Sequence, residues 1–312
     1  MTFSRTLTAI TALWLGFAGV APHASAQTEP TPATPAALSG TLAKVRDAGA
    51  VIIGYRESSI PFSFLSPRNE PIGYSIELCK ALVEAMSDAV HKTLATKWVP
   101  VTAESRIDAV VSGKVDLECG STTNNLERQK RVAFSPTIFV SGTKLLVPKG
   151  SPIKSFRDLG GRPVAVTSGT TNEKTMRDIA ARFKIGMNLL VSRDHAESFG
   201  LVKSGKAEAF ATDDVLLYGL IAQDRGGSDG ESNYEVVGEF LSYDPYGVMY
   251  RKDDPEMTRV VNDTFHDLAE DGEIERQYKR WFLRKLPSGT ALNLPMSPQL
   301  ETIIQTMAVR SE

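Results

Sequence analysis

The sequence predicts an α/β protein built from two lobes. Apolar segments of strand length alternate with helical patterns through both halves of the chain, which is typical of largely parallel sheets flanked by helices. A short phrase of glycine, hydroxyl residues and asparagine at 120–128 is repeated at 168–173, each time after a predicted strand. One such phrase in each half indicates a ligand held between two lobes.

The first half of the chain contains the clearest periodic patterns. Ile76, Cys79, Leu82 and Met86 fall on one stripe of a helix, and the apolar run 51–55 has the composition of a buried strand. The predicted elements here are helix 42–47, strand 51–55, helix 75–86, strand 98–101, helix 105–112 and strand 115–119.

Around Ser141 and Gly142, β-forming residues on both sides predict that the chain passes into a second lobe. The same alternation then repeats, and the chain returns to the first lobe through strand 248–250. This organisation assigns 40–140 and 245–312 to lobe 1 and 141–244 to lobe 2. The predicted elements are short helix 155–159, strand 163–166, helix 172–182, strand 189–191, helix 196–203, strand 207–211, helix 214–222, turn-like segment 242–247, strand 248–250, and helices 256–269 and 274–282.

The N-terminus has the three parts of a secretory signal peptide. Arg5 precedes an apolar run over 7–20, and the small residues 24–26 fit the site that a signal peptidase recognises. The apolar run is shorter than the roughly 20 residues that span a bilayer. We therefore expect residues 1–26 to be removed, 27–39 to form a disordered, proline-rich tether, and the mature protein to reside in a periplasm.

Charge and cysteine content narrow the possible partners. The chain has 35 Lys plus Arg against 37 Asp plus Glu, which argues against nucleic acid as a partner. In an exported protein, the pair Cys79 and Cys119 favours a disulfide, although two buried free thiols remain an alternative. Two cysteines and scattered histidines do not make a closed zinc shell, so neither a metal nor another cofactor is predicted.

The two repeated phrases have the spacing of helix N-termini. Asn124 with Glu127, and Thr170 with Glu173, match the capping box, in which the cap residue and the third helical residue satisfy each other's backbone donors. The N-terminus of a helix presents free amides and the positive end of the helix dipole. Both phrases are therefore predicted to open helices and to suit an anion such as a carboxylate.

Several collinear motifs carry a family resemblance. The chain from about residue 42 to beyond residue 281 resembles the periplasmic glutamate/aspartate-binding proteins that supply ABC importers, within the polar amino-acid family of solute-binding proteins. The resemblance implies a type II periplasmic-binding-protein fold, with two hinge strands and no catalytic residues, that closes on one acidic amino acid. A monomer is the default expectation. The motifs that carry it are 54–63, 73–75, 118–125, 194–195 and 251–255.

The resemblance also assigns residues to the α-amino acid group of the ligand. Arg128 matches the arginine that pairs with the α-carboxylate, and a planar guanidinium can engage both of its oxygens. Ser121 and Thr123 lie beside it, and Thr170 matches a donor from the opposite lobe. Asp213 matches the carboxylate that receives the ammonium group.

Arg56, Arg106 and His195 match the group that surrounds the distal carboxylate of the ligand. A neutral ligand would leave buried guanidinium groups unpaired, so the resemblance implies a strong preference for acidic ligands. One position departs from the family pattern, since Ala103 stands where the best-matching members carry a serine that touches the distal carboxylate. Ser105 or a water molecule would have to replace that hydroxyl.

Other functions are conceivable for such a cleft. A serine hydrolase would need Ser121 or Ser168 with His195 and Asp213, but no Gly-x-Ser-x-Gly elbow encloses either serine. A cyclohexadienyl or arogenate dehydratase on the same fold would need a protonated carboxyl, for which Glu57 and Glu118 are the candidates. A third alternative is a protein that presents its ligand to a membrane sensor.

Overall fold

The computed structural model describes residues 38–224 and 232–309. The predicted signal peptide and residues 27–37 of the predicted tether lie outside the described residues. Leu38, at the end of that tether, packs against the core, and the backbone N–H of Ser39 donates to Glu256 at 2.8 Å. In the part of the chain that is described, no helix is both long and apolar enough to span a membrane.

The helices and strands fall into three successive stretches of the chain. The first stretch contains α1 (Gly40–Ala48), β1 (Ala50–Tyr55), β2 (Ser58–Ser59), β3 (Ser63–Leu65), β4 (Pro71–Ile72), α2 (Tyr74–Ala89), β5 (Ala95–Pro100), α3 (Arg106–Val111), β6 (Leu117–Glu118), β7 (Val132–Phe134) and β8 (Phe139–Ser141). The second contains β9 (Thr143–Pro148), β10 (Pro163–Thr167), α4 (Thr171–Phe183), β11 (Asn188–Ser192), α5 (His195–Lys203), β12 (Ala209–Asp213), α6 (Asp214–Gln223) and β13 (Tyr234–Val237). The third contains β14 (Asp244–Tyr246), β15 (Met249–Arg251), α7 (Pro255–Glu270), α8 (Glu273–Tyr278) and α9 (Pro298–Met307).

Two five-stranded sheets with flanking helices form two lobes, as predicted. The first sheet has the order β5-β1-β6-β15-β7, and the second has the order β11-β10-β12-β9-β13. Within the first sheet β15 runs against both neighbours, and within the second sheet β9 does so, while the other strands of each sheet share one direction. The prediction of largely parallel sheets is therefore confirmed.

Two adjacent strands connect the sheets. β8 leads directly into β9, and β14 leads the chain back towards β15. The two pair antiparallel, with Ser141 opposite Asp244 and Phe139 opposite Tyr246. The sequence prediction of a turn over 242–247 is wrong, because Asp244–Tyr246 is the second of these hinge strands; Asp244 and Pro245 suggest a turn by composition, and pairing with β8 overrides that preference.

The return of the chain to the first lobe is secured by a helix cap. Asp254 caps α7 by accepting from the backbone N–H of Met257 at 3.3 Å, and it also accepts from the N–H of Thr41 at 2.7 Å. One face of α7, including Met257, Val261 and Phe265, is buried in the core as the sequence periodicity predicts. The side chain of Asp254 therefore joins the start of α1 to the start of α7.

The predicted disulfide is present. Cys79 on α2 and Cys119 directly after β6 are bonded, with an S–S distance of 2.00 Å and a Cα–Cα distance of 6.4 Å. The bond fixes α2 to the point where the first repeated phrase begins.

Several short elements of the structure were not predicted from the sequence. These are the small antiparallel sheet of β2, β3 and β4, the outer strands β7 and β13, and α9, which packs on α7 through the buried residues Leu300 and Ile304. The missed strands of the small sheet and β7 have two or three residues each, too few for alternation to be visible. Helix 274–282 is α8 followed by one π-helical segment, Lys279–Leu283.

Candidate ligand-binding site

The predicted site residues come from the carboxyl ends of parallel strands in both sheets. Arg56 directly follows β1, Ser121 and Thr123 follow β6, and Asp213 is the last residue of β12. Ligands of open α/β sheets bind at this edge, because the loops that leave the strands there face the same crevice.

A small cavity brings together all of the predicted site residues except Arg128. Its volume is only about 10 Å³, about enough for one water molecule, so an amino acid does not fit between these residues in this arrangement. Three further lining residues were not predicted; Thr171 and Asn172 belong to the second repeated phrase, whereas nothing in the sequence pointed to Leu216 on α6. The complete lining is Arg56, Arg106, Ser121, Thr123, Thr170, Thr171, Asn172, His195, Asp213 and Leu216.

Two arginines lie in this cavity with donors that have no protein partner. Arg56 is 1% exposed and Arg106 is 2% exposed. Both terminal nitrogens of Arg56 and the Nε of Arg106 lack a hydrogen-bond partner among the described residues, while Nη1 of Arg106 donates to the carbonyl of Ser121 at 3.3 Å. Burial lowers the pKa of Arg56 to about 10, with a further contribution from Arg106. Buried, positively charged donors of this kind call for an anionic partner.

Arg128 lies next to the cavity and reaches the second lobe. Its Nη1 donates to the carbonyl of Thr123 at 2.8 Å, and its Nη2 donates to the carbonyl of Gly169 at 3.4 Å. The guanidinium is buried, and burial lowers its pKa to about 9.

The first repeated phrase does not open an α-helix, so that prediction is wrong. Thr123 pairs with Tyr246 and the backbone N–H of Asn124 donates to Pro245 at 2.7 Å, so the phrase is held extended beside the hinge. A single 3₁₀ turn, Arg128–Lys130, follows, and the side chain of Asn125, not Asn124, accepts from the N–H of Arg128 at 2.9 Å.

The second repeated phrase does open a helix, as predicted. Thr170 is the N-cap of α4, and its hydroxyl accepts from the N–H of Glu173 at 3.1 Å. The side chain of Glu173 accepts from Gly169 at 3.1 Å, one residue before the position that a capping box requires. Gly169 has φ +72° and lies so close to the first lobe that a Cβ would be 2.6 Å from the Cα of Glu104.

Asp213 is a buried carboxylate of the second lobe with two donors. It accepts from Nδ2 of Asn172 at 2.7 Å and from the hydroxyl of Tyr246 on the hinge. Burial raises the pKa of Asp213 to about 7, and the nearby Asp244 raises it further, against the effect of the two hydrogen bonds. Asp213 is the N-cap residue of α6, but its side chain makes no capping hydrogen bond.

His195 is a buried, neutral ring. Its Nδ1 lies 2.9 Å from the hydroxyl of Thr167. Burial lowers the pKa of His195 well below its usual range, and the charges of Arg56 and Arg106 lower it further. The preceding Asp194 caps α5 through the N–H of Glu197, so His195 itself is not the cap.

Ser105 does not replace the serine hydroxyl that the family has at the position of Ala103. Ala103 is buried, whereas Ser105 is exposed and its hydroxyl bonds to the backbone N–H and the side chain of Thr102 at 3.0 and 3.1 Å. Ser105 therefore does not supply the family's hydroxyl beside Arg106.

The groups that the alternative enzymes require are not assembled. Glu57 is exposed and Glu118 is buried outside the cavity lining. The hydroxyl of Ser168 donates to Glu104 at 3.0 Å, and the hydroxyl of Ser121 has no hydrogen-bond partner among the described residues. Since Nδ1 of His195 faces Thr167, the described side chains form no Ser-His-Asp relay.

Comparisons with known proteins agree with this architecture. Residues 51–284 match the family of bacterial extracellular solute-binding proteins, family 3. The chain is 41% identical over 271 residues to the glutamate/aspartate import solute-binding protein of Salmonella typhimurium, covering 86% of this chain and 88% of that protein. It is 43% identical over 270 residues to the L-glutamate/L-aspartate-binding protein of Pseudomonas aeruginosa, covering 86% of this chain and 88% of that one. The chain belongs to the family 3 bacterial extracellular solute-binding proteins.

A solved structure relates the fold to the dehydratase alternative. The crystal structure of an ancestral amino acid-binding protein, described as a precursor of cyclohexadienyl dehydratase, has a TM-score of 0.65 and 30% identity. It covers 78% of this chain and 99% of its own. That relative is itself described as a binding protein.

Proposed function

We propose that this protein captures L-glutamate or L-aspartate between its two lobes and delivers it to an ABC-type amino-acid importer. The observation that carries the proposal is the pair of buried arginines, Arg56 and Arg106, whose donors face a small cavity without protein partners among the described residues. The distal carboxylate of an acidic amino acid supplies the charge that these donors lack. A neutral side chain leaves them unmatched, and such a mismatch costs several kcal/mol, roughly 3–5 for an uncompensated buried charge.

Opposite charges on the two lobes support a defined orientation of the ligand. The distal carboxylate meets Arg56, Arg106 and His195, and the ammonium group meets Asp213. The α-carboxylate meets Arg128, with Ser121, Thr123 and Thr170 as further donors. The burial of these side chains and the cavity lining support this placement.

The lobe boundaries are part of the proposal. Residues 40–140 and 245–312 form lobe 1 and residues 141–244 form lobe 2, which is consistent with hinge strands β8 and β14. Direct contacts between the lobes support a closed arrangement: the hydroxyls of Thr123 and Thr171 are 3.3 Å apart, and Arg128 reaches Gly169. In the complex the lobes close around the amino acid with a wider cleft, and the importer recognises that closed, ligand-bound form.

The cellular setting follows from the relatives and the N-terminal sequence. Two relatives are named as glutamate/aspartate-binding, one of them as an import protein. Together with the predicted signal peptide over 1–26, they support a periplasmic protein that acts as a monomer, without catalysis, and whose partner is the membrane part of an importer. Growth on glutamate after gene deletion, compared with a signalling readout, separates this role from presentation to a sensor.

Calorimetry with glutamate, aspartate, glutamine and asparagine tests the ligand class. We expect tight binding of the two acids and binding of the amides at least about 100-fold weaker, because amides leave the guanidinium groups unpaired. Arg106→Ala should abolish the preference for acidic ligands. If that variant still favours glutamate over glutamine as strongly as the parent, the proposed pocket is wrong.

A second assay addresses catalysis. Prephenate and arogenate are each incubated with the protein, and we expect neither to be converted. Turnover of either compound, or the absence of glutamate binding in the calorimeter, would overturn the proposal.

A further inference from the structure

Glu118 is a buried carboxylate that the proposed ligand contacts do not use. It is the last residue of β6, in the middle of the first sheet, and its exposure is 0%. Its Oε2 accepts from the hydroxyl of Thr122 at 2.6 Å. Its Oε1 has no hydrogen-bond partner among the described residues, so this oxygen keeps its charge available to its surroundings.

The surroundings of Glu118 are the guanidinium groups of the proposed site. A Cβ built on Gly120 would lie 2.3 Å from Oε1 of Glu118 and 2.9 Å from Cγ of Arg56, so the two side chains meet over this glycine. Burial lowers the pKa of Arg56, Arg106 and Arg128, and the charge of Glu118 opposes that effect at all three. Glu118 therefore lies beside the side chain of Arg56, and it is buried in the same lobe as the other two arginines.

All of these groups belong to the same proposed lobe. Glu118 ends β6, Arg56 directly follows β1, Arg106 begins α3, and Arg128 begins the 3₁₀ turn that precedes β7. Asp213, in contrast, is carried by β12 of the second sheet. When the lobes separate, Glu118 stays with the arginines and Asp213 does not.

We propose that Glu118 is a built-in counter-ion that partly neutralises the buried arginines when the cleft is empty and limits the affinity for acidic ligands, so that the bound amino acid can be released. The inference rests on the proposed function, because it concerns the same cleft. In the empty protein, Glu118 partly neutralises buried cations that would otherwise repel one another. In the complex, the same charge repels an acidic ligand, whose net charge is negative, more than it repels glutamine, whose net charge is zero.

Calorimetry on Glu118→Gln tests the effect on ligand binding. We expect the Kd for glutamate to fall by at least about fivefold while the Kd for glutamine changes by less than about twofold, because only glutamate carries the net charge that Glu118 repels. Glu84→Gln is the matched control, since Glu84 is an exposed glutamate on α2 of the same lobe and the change in charge is identical. It should leave both Kd values unchanged.

An unchanged or smaller ratio of glutamine Kd to glutamate Kd in Glu118→Gln would overturn the inference. If Glu118 had only a structural role, its substitution would weaken the binding of both ligands alike and leave the ratio of their Kd values constant. Glu118→Asp keeps the charge and should keep the wild-type ratio to within about threefold.

Thermal unfolding of the ligand-free protein tests the inference independently of any ligand. Glu118→Gln should lower Tm by at least about 4 °C, while Glu84→Gln should leave it within about 1 °C. The double variant Glu118→Gln/Arg106→Gln removes one charge of each sign and should recover part of the loss. If the wild-type protein does not bind glutamate but these Tm shifts are seen, the proposed ligand is wrong and the inference about Glu118 stands. If the Tm shifts are absent, or if the double variant is no more stable than Glu118→Gln, the inference about Glu118 is wrong.

Discussion

The two repeated phrases have nearly the same residues and adopt different structures. Residues 168–173 open α4 with Thr170 as its cap, whereas residues 120–128 lie extended beside the hinge and end in one 3₁₀ turn. The difference arises because the first phrase pairs with Tyr246 and Pro245 of the hinge at Thr123 and Asn124, whereas the second bonds to a strand only at its first residue, Ser168, whose N–H donates to Ser192 at the end of β11. Local sequence therefore sets what a segment can do, and its neighbours decide which conformation it takes.

The comparison also separates the sources of anion binding. The first phrase offers no helix N-terminus, so its contribution depends on the side chain of Arg128. The second phrase offers a capped helix with small residues and neutral donors. Substitutions in the two phrases should consequently have different effects on binding and on stability.

The largest effect is expected for Arg128→Ala in the first phrase. Loss of the buried guanidinium should weaken glutamate binding by at least about 100-fold, since a hydrogen bond to a charged group contributes roughly 1.5–3 kcal/mol and this side chain makes more than one. Arg131→Ala is the control, because Arg131 is exposed and pairs with Asp108. Calorimetry that finds similar Kd values for both variants would contradict the role given to Arg128.

A smaller effect is expected for Gly169→Ala in the second phrase. The new Cβ would lie 2.6 Å from the Cα of Glu104 across the cleft, which should hinder closure and weaken glutamate binding by roughly tenfold. Gly161→Ala is the matched control, because Gly161 has nearly the same φ, +74°, and a Cβ added there would meet no described heavy atom within 4 Å. Both variants carry the same backbone strain, so equal Kd values would show that closure does not bring Gly169 against Glu104.

The lobes should also differ in their response to pH. Burial raises the pKa of Asp213 to about 7 in the empty protein, whereas the pKa values of Arg56 and Arg128, about 10 and 9, keep both cationic. An ammonium group requires ionised Asp213, so glutamate affinity should fall below pH 7 by up to about tenfold per unit as binding becomes coupled to proton release. Calorimetry in buffers of different ionisation enthalpy measures that release directly.

The raised pKa of Asp213 also determines how the stability of the ligand-free protein changes with pH. Because the pKa of Asp213 is raised by folding, its contribution to ligand-free stability is fully present below the usual pKa of 3.8 and is lost as pH rises towards 7. Asp213→Asn should remove this dependence of stability on pH.

For ligand binding, a glutamate affinity that stays constant from pH 8 to pH 5.5 would contradict the assignment of Asp213 to the ammonium group.

The smallest effect concerns capping. Thr170→Ala should lower the free energy of unfolding of the ligand-free protein by about 1 kcal/mol, because α4 loses its N-cap. Asn124→Ala should change it by less than about 0.5 kcal/mol, since no α-helix begins there. Equal losses in denaturant titrations would mean that the two phrases are structurally alike after all.

Much of the fold could be predicted from the sequence because its helices and central strands are periodic. The stripe on α2, the apolar β1 and the alternation of both halves are visible in residue order alone. The short strands β2 to β4 could not be predicted, since two or three residues show no period, and β14 was hidden because Asp244 and Pro245 resemble a turn.

The residues of the candidate site were predicted through the family resemblance, and several of them lie at the end of a strand or shortly after it. Arg56, Ser121 and Asp213 stand at such positions, and the structure brings them to one cavity. Leu216 could not be predicted as part of this region, because an apolar residue on a helix looks like an ordinary core residue until its neighbours are known. Glu118 was considered only as the acid of a dehydratase, and its burial beside Arg56 is visible only in the structure.

The bond between Cys79 and Cys119 has a practical consequence for handling this protein. It anchors the stretch that leads from β6 into the Arg128 segment to the long helix α2. Material produced in a reducing cytosol would lack that anchor, and its arginine-bearing segment would start from a less fixed position. Preparations should therefore be compared in oxidised and reduced form before any weak uptake of an amino acid is attributed to a substitution.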